Sequence, residues 1–177
     1  MWPTITAWPP KGTVGEPDGV TGSAVATVMA RHPSGQPAPP QVRKHAWTVP
    51  LAPGSVRAAR ERTERSLVLF GLEGTSSLTG AVLLVVSELV ANASRHAQHS
   101  PDAEITLHMT DHLLVVAVAD LDPRPFTLAD AGRASGQGLR TVADLARTFG
   151  GDVRIEPAAG GRGKTVVVRF ILPEGTP

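Results

Sequence analysis

The sequence predicts a two-layer α/β sandwich, with a mixed, mostly antiparallel sheet that carries its helices on one face. Helix-like and strand-like patterns follow one another in the order β-α-α-β-β-α-β-β between residue 45 and the C-terminus. Short turns separate most neighbouring strand patterns, which favours hairpins packed against helices. Residues 113–119 are almost wholly apolar, which is typical of a central strand buried on both faces.

The first predicted elements are a strand and two helices. Residues 46–51 form a short extended run that is suited to a sheet edge. In residues 55–70 apolar side chains recur at three- and four-residue spacing, which predicts a helix. Ser76 or Ser77 is suited to cap a second helix that continues to about His99.

The second half of the domain contains further strands and one helix. The predicted strands cover residues 103–109, 113–119, 152–156 and 164–172, and the predicted helix covers residues 139–149. A Pro-, Gly- and Ala-rich segment at residues 121–137 precedes that helix and predicts a long loop. A glycine-rich turn at residues 160–163 joins the last two strands.

The N-terminal part of the chain, residues 1–44, is rich in Pro and Gly and has no sustained periodicity. Proline removes a backbone donor and restricts the residue before it, so a segment of this composition rarely packs. Residues 20–29 could form a short helix, but it would be too short to be stable alone. We therefore predict a disordered or loosely attached arm at residues 1–44, dispensable for ligand binding, and one domain at residues 45–177.

Composition and charge exclude several classes of protein. Hydrophobic residues make up 41% of the chain, enough for a sizeable core, and 17 basic residues are balanced by 16 acidic ones. A non-specific nucleic-acid binder normally has a basic excess, so none is expected. Cysteine is absent, which excludes disulfides and thiolate metal sites. No signal-peptide pattern and no apolar run of membrane-spanning length is found, so we expect a soluble, cytoplasmic protein.

The second predicted helix carries a candidate binding face. At about 100° per residue, Glu88, Asn92 and His96 fall on one side of the helix, and the apolar residues fall on the other. Because the apolar side must lie on the sheet, Glu88 and Asn92 point at a shared ligand. Their oxygens suit Mg²⁺, and the carboxylate also suits a general base that acts on a hydroxyl. The alternative is a solvated helix face, which the E-x-x-x-N spacing alone does not exclude.

Three more motifs follow in order. Asp120 ends the apolar strand within D-L-D-P-R-P, where the alternative is an ordinary turn residue. Gly136 and Gly138 lie in G-Q-G-L directly before a predicted helix, where the backbone can approach a phosphate; a simple turn is the alternative. The G-K-T at residues 163–165 opens the last strand. It is not a P-loop, because no G-x-x-x-x-G precedes it and no helix follows it.

Taken together, these motifs resemble those of the ATPase superfamily that includes gyrase, the heat-shock chaperone and histidine kinases. The segment E-L-V-A-N-A-S-R-H-A at residues 88–97 resembles the N box of that superfamily. More narrowly, it resembles the anti-sigma-factor serine/threonine kinases and their actinobacterial relatives. Asp120 stands where the superfamily has the Asp of D-x-G-x-G, although both glycines of that motif are missing here. The resemblance covers most of residues 45–172 and implies the Bergerat-type ATP-binding fold.

The resemblance implies ATP and Mg²⁺ as ligands and assigns roles to single residues. It makes Glu88 the catalytic base and Asn92 the metal ligand. It implies that Asp120 accepts a hydrogen bond from the adenine amino group and that the Thr165 hydroxyl reaches the adenine pocket. For Lys164 the sequence predicts an exposed strand position.

The resemblance also implies a phosphate site. Gly136, Gly138 and Leu139 of the G-Q-G-L motif would wrap the phosphates at the start of the helix. Residues 121–135, which precede the motif, would form a lid over the nucleotide.

Two functions of different classes remain open. The first is a serine/threonine protein kinase that transfers the ATP γ-phosphate to a Ser of a partner protein and controls transcription by partner switching. The second is a non-catalytic ATP-binding module that regulates a partner by docking alone, which the glycine-free second motif favours and the Glu88–Asn92 pair opposes. The implied partners are a sigma factor and an anti-anti-sigma protein. No direct contact with nucleic acid or membrane is expected, and a homodimer is left open.

Overall fold

The fold is described from a computed structural model of the 177-residue chain. The structure describes residues 26–27, 42–97, 99–122, 138–158, 162–173 and 176. Most of the predicted arm, most of the predicted lid, and Gly136 lie outside the described residues.

Within the described ranges the chain forms strands and helices in the predicted order. The elements are β1 (Ala26–Thr27), β2 (Arg43–Pro50), α1 (Ser55–Leu69), α2 (Ser77–His96), β3 (Asp102–Met109), β4 (Leu113–Asp120), α3 (Gly138–Thr148), β5 (Val153–Pro157) and β6 (Lys164–Ile171). From β2 onward the order β-α-α-β-β-α-β-β is confirmed. The largest differences from the predicted boundaries are at the start of β2, which begins earlier, and at the end of α2, which ends at His96.

The described strands form one sheet in the order β1-β2-β3-β4-β6-β5. Side chains of all three described helices, among them Leu67, Val86 and Val142, join one core cluster with one face of this sheet. The predicted two-layer α/β sandwich is therefore confirmed. Every pairing between the described strands is antiparallel, where a mixed sheet was predicted. The β3–β4 and β5–β6 hairpins account for much of this, because a short turn reverses the chain.

Strand β4 is buried on both faces, as its apolar run predicts. Leu114 and Val116 face the helices and are fully buried. Val115 and Ala117 lie on the opposite face, where they are 7% and 4% exposed and pack with Val167 of β6. Strand β4 pairs with β3 on one side and β6 on the other, and it ends at Asp120.

Helix α2 is the central helix of the core. The Ser76 hydroxyl caps it by accepting a hydrogen bond from the Thr79 N–H at 3.1 Å. Val82, Val86 and Val90 are fully buried. By length and composition α2 is apolar enough to cross a membrane, contrary to the sequence-based expectation, but its apolar side chains are part of the core cluster.

Helix α1 is attached to β2 through a small polar and aromatic cluster. His45 Nδ1 lies 2.5 Å from the Ser66 hydroxyl, which donates to the Arg62 carbonyl at 2.8 Å, so the ring nitrogen is the donor to Ser66. The Arg62 guanidinium lies over the Trp47 ring, 5.5 Å from its centroid. Burial, and then the nearby positive charge of Arg62, lower the pKa of His45 from its ordinary 6.5.

Two residues of the predicted arm take part in the sheet. Ala26 and Thr27 pair with Lys44 and Arg43 at the edge of β2, so this part of the short helix considered for residues 20–29 is a strand instead. Because β2 begins at Arg43, the last two residues of the predicted arm belong to a strand of the domain. The remainder of the arm lies outside the described residues, and its disorder stays a prediction.

Acidification is expected to destabilise the protein through His45. As the pH falls through 6.5, His45 binds a proton in the unfolded chain but not yet in the folded protein. The free energy of unfolding is therefore highest above this pH and falls below it. His45→Gln removes the titration and keeps a polar partner for Ser66. It should therefore flatten the fall in the free energy of unfolding, measured by urea titration between about pH 7.5 and about pH 5.5.

His112 provides the matched control for this measurement, because it lies exposed in the turn between β3 and β4. The dependence of stability on pH measured for His112→Gln is the reference for removing an imidazole from an exposed turn. If His45→Gln showed that same dependence, His45 would not be the group responsible.

Candidate functional site

A cavity opens between α2, the end of β4, the start of β6 and the start of α3. It is lined by Leu89, Asn92, Ala93, His96, Val118, Asp120, Leu139, Lys164 and Val166. Apolar walls with a few convergent polar groups are typical of a small-molecule site. Three of the predicted site residues, Asn92, Asp120 and Leu139, therefore meet in one place.

The Glu88 carboxylate lies against the first residue of α3. A Cβ atom on residue 138 would overlap Glu88 Oε2 and would lie 3.8 Å from Asn92 Nδ2. Gly138 therefore allows α2 and α3 to approach at this point. The N-terminal end of α3, with the positive end of its dipole, therefore lies beside Glu88 and Asn92. The structure thus brings Gly138 of the G-Q-G-L motif next to the Glu88–Asn92 pair that the sequence placed on one helix face.

Asn92 has an unsatisfied side chain. Both its amide oxygen and its amide nitrogen are buried, and neither has a hydrogen-bond partner among the residues that the structure describes. Burial of an amide without a partner costs about 1–3 kcal/mol, and native proteins leave few such groups. A bound ligand that offers a cation to Oδ1 or an acceptor to Nδ2 would remove this cost. The amide is thus in the state expected of a ligand-binding group in the free protein.

The site fits a cation that is shared between protein and ligand. Among the residues that the structure describes, no group of three or more His, Asp or Glu side chains could hold a metal ion alone. Mg²⁺ usually takes only one or two protein ligands and completes its octahedron with water and phosphate oxygens. Asn92, with Glu88 on the same helix face, matches this requirement.

Asp120 is buried at the end of β4, and two neighbours hold its carboxylate. Oδ1 accepts a hydrogen bond from the Asp122 N–H at 3.0 Å. Lys164 Nζ lies 2.9 Å from Oδ2 and 3.1 Å from Oδ1. The exposed position predicted for Lys164 is wrong, since its side chain is only 16% exposed. The reason is the register, which pairs Lys164 directly with Asp120 and so places both side chains on one face.

The turn after Asp120 forms without the two glycines of the usual motif. The Asp120 side chain binds the N–H two residues further on, as Asp does in many turns. Asp122 is almost fully buried, and its Oδ2 lies 3.6 Å from His99 Nδ1 in the turn after α2. Gly163, directly before β6, has φ +84°, and a Cβ there would overlap the Asp120 carbonyl oxygen.

Thr165 lies apart from the other predicted site residues. It pairs with Ala119, one residue away from the Asp120–Lys164 pair. Because side chains alternate along a strand, its hydroxyl points to the face of the sheet away from the cavity. Lys164 lines the cavity instead, and the sequence analysis missed it. The sequence does contain a signal for this position. Val166, Val168 and Phe170 alternate along the strand, and the residue two positions before Val166 on the same face is Lys164.

The chain belongs to the family of histidine kinase-like ATPase domains, since the profile of that family matches residues 49–170. The matched segment contains every residue that lines the cavity. Membership in this family implies that the domain binds ATP. The resemblance inferred from the motifs is thereby confirmed at the level of the family. Gly136 lies outside the described residues, and its contact with phosphate stays a prediction.

The fold recurs in a solved structure, that of the RsbU and RsbW domains of Rv1364c from Mycobacterium tuberculosis. The TM-score is 0.53 at 19% identity, over 78% of this chain and 34% of that one. The present chain therefore spans about a third of that structure's length. The histidine kinase domain of the blue-light-activated histidine kinase EL346 from Erythrobacter litoralis gives a TM-score of 0.44 at 20% identity, over 68% of this chain and 60% of that one. No curated protein sequence gives a significant match.

Gly138→Ala is expected to weaken ATP binding, because the new Cβ must displace the Glu88 carboxylate. Because the displaced atoms are the end of a flexible side chain, the expected cost is about 1 kcal/mol, which corresponds to roughly fivefold in affinity if it falls on the bound state. Gly80→Ala is the matched control, because Gly80 lies within α2 with no atom near its Cβ position. The control should bind ATP normally and be stabilised by up to about 1 kcal/mol. Titration calorimetry with Mg-ATP measures the affinity of both variants, and thermal unfolding measures their stability. Equal ATP affinities of Gly138→Ala and Gly80→Ala would contradict the effect expected from the close approach of α2 and α3.

Asn92→Ala is expected to separate binding from stability. Mg²⁺-dependent ATP affinity should fall by roughly ten- to a hundredfold, because an interaction worth about 1–3 kcal/mol is lost. The free protein should gain stability, because an unsatisfied buried amide is removed. The control, Ser77→Ala, alters an exposed hydroxyl in the first turn of the same helix and should change neither quantity. An unchanged Mg-ATP affinity in Asn92→Ala would exclude Asn92 as the metal ligand.

Proposed function

We propose that this protein is an ATP-dependent serine/threonine protein kinase of the partner-switching type. The observation that carries the proposal is the grouping of Glu88, Asn92 and Gly138, in which an unsatisfied buried amide and a carboxylate lie beside a helix N-terminus. An ATP-binding domain needs few further groups for phosphoryl transfer, since this reaction depends mainly on positioning and charge stabilisation.

Each residue of the site has a role in holding the nucleotide. The Asn92 oxygen would hold Mg²⁺, which when bound supplies positive charge to the phosphates. The backbone N–H groups at Gly136, Gly138 and Leu139 would donate to phosphate oxygens at the start of α3. Asp120 would accept a hydrogen bond from the adenine amino group at the far end of the cavity.

Glu88 would act on the substrate hydroxyl. As the Ser oxygen of the partner attacks the γ-phosphorus, its proton passes to the Glu88 carboxylate. A bond forms between that oxygen and phosphorus, the bond from phosphorus to the bridging oxygen breaks, and ADP leaves. The position of Glu88 against the helix N-terminus supports this role, because the phosphates would bind at the same helix end.

We infer that the substrate is an anti-anti-sigma protein and that the regulated partner is a sigma factor. Two observations support this: the motifs of residues 88–97 resemble those of anti-sigma-factor kinases, and the fold recurs in a structure that contains an RsbW domain. In this proposal the protein acts in the cytoplasm, without direct contact with nucleic acid or membrane, and Thr165 contributes to the cavity only indirectly through the strand that carries Lys164.

A second candidate is a docking module that binds ATP without transferring phosphate. One observation favours it: the base-reading carboxylate of Asp120 is already engaged by Lys164. A nucleotide site whose specificity group is occupied would bind ATP weakly. The two candidates differ in whether Glu88 has a chemical role.

Glu88→Gln is expected to keep ATP binding and to abolish phosphate transfer. The amide has the shape of the carboxylate but does not accept the proton, and general-base catalysis contributes about 10²–10⁴-fold. The assay follows labelled phosphate from Mg-ATP to a partner that co-purifies with the protein from its native host. Glu64→Gln, an exposed substitution on α1, is the matched control and should transfer phosphate at the wild-type rate.

The same assay distinguishes the docking module. That candidate predicts no transfer by the wild-type protein or by either variant, together with undiminished binding of the partner. Wild-type inactivity with a confirmed partner would therefore replace the kinase proposal by the docking module.

A further inference from the structure

Lys164 occupies the carboxylate that is proposed to read the base. It is the first residue of β6, and the strand register places it directly across from Asp120, the last residue of β4. Its Nζ lies 2.9 Å from Asp120 Oδ2 and 3.1 Å from Oδ1. Both residues line the cavity. A flexible, charged side chain of the cavity wall thus contacts the Asp120 carboxylate directly.

The ion pair is largely withdrawn from water. The Asp120 and Lys164 side chains are only 8% and 16% exposed. A carboxylate at this depth is costly to leave without a partner, and loss of one member of a buried pair is strongly destabilising. Lys164 therefore stabilises Asp120 in the free protein. Asn92, which also lines the cavity, has no such partner within the described part of the chain.

The hydrogen-bonding capacity of Asp120 is nearly used up. Oδ1 accepts from the Asp122 N–H and from Lys164, and Oδ2 accepts from Lys164. Each carboxylate oxygen accepts about two hydrogen bonds. A base amino group must therefore share Oδ2 with the ammonium or displace it. A hydrogen bond between two charged groups is stronger than one from a neutral amine to the same carboxylate, so displacement is unfavourable.

We propose that Lys164 is an internal competitor of the nucleotide base and so determines the ATP affinity of this site. The inference rests on the ATP-binding site proposed above. Without nucleotide, Lys164 holds Asp120 and maintains the pocket. When the base binds, the ammonium gives up at least part of the carboxylate and moves aside on its flexible stem. The same Lys164–Asp120 contact therefore stabilises the nucleotide-free protein and lowers its affinity for ATP.

The test is Lys164→Met in the full chain, which keeps the length of the side chain and removes the competing charge. ATP should bind about tenfold more tightly, the effect expected when one competing charge-assisted hydrogen bond is removed. The unfolding temperature without nucleotide should fall, because Asp120 loses its cation. A merely structural role for Lys164 would predict lower stability together with weaker binding, so the sign of the change in affinity separates the two.

Two further variants make the test specific. Arg169→Met removes a cation from the same strand. The Arg169 guanidinium lies 3.8 Å from the Asp152 carboxylate, and neither residue lines the cavity, so ATP affinity should not change. Lys164→Gln still donates to Asp120 but carries no charge. It should fold even if Lys164→Met does not, and its ATP affinity should lie between those of wild type and Lys164→Met.

A last comparison uses Asp120→Asn as the background. There the carboxylate is absent, so adding Lys164→Met should leave ATP affinity unchanged. Equal or weaker ATP binding by Lys164→Met and Lys164→Gln in the native background would overturn the inference, while wild-type ATP binding would leave the proposed function standing. Absence of ATP binding in the wild type and all variants would overturn both.

Discussion

The orientation of α2 about its own axis, which decides which of its side chains face the sheet, is the constraint on which the rest of the site depends. Val82, Val86 and Val90 are fully buried, and burial of a side chain of this size contributes about 1.5–3 kcal/mol. An unsatisfied amide such as that of Asn92 costs about 1–3 kcal/mol. Because several apolar side chains oppose one amide, burial wins, and Asn92 is held in the cavity without a partner. Glu88, one turn away, faces the start of α3 for the same reason.

The register between β4 and β6 is the second constraint. It places Gly163 against the Asp120 carbonyl and Lys164 against the Asp120 carboxylate. A slip of one residue would turn every side chain of β6 to the other face and remove Val166 and Val168 from the core between the sheet and the helices. Burial of the alternate residues of β6 therefore fixes the chemistry at its first residue. The site is in this sense a consequence of how the sheet is packed.

The cavity treats its two buried polar groups in different ways. Asn92 is left unsatisfied, so the free protein is destabilised at that point and binding a ligand removes the cost. Asp120 is satisfied by Lys164, so the free protein is stable at that point and binding must disturb an existing contact. Under the proposed function, the first arrangement favours nucleotide binding and the second opposes it.

The sequence by itself determined the fold class, the order of elements and the candidate helix face, because these follow from the periodicity of apolar residues within each segment. It also indicated Glu88, Asn92, Asp120 and Gly138 through local motifs. Only the tertiary structure decided that Lys164 rather than Thr165 lines the cavity, and that Gly163 lies against the Asp120 carbonyl. These depend on which residues of distant strands lie opposite each other. That pairing is set by the burial of the whole sheet, and no local pattern contains it.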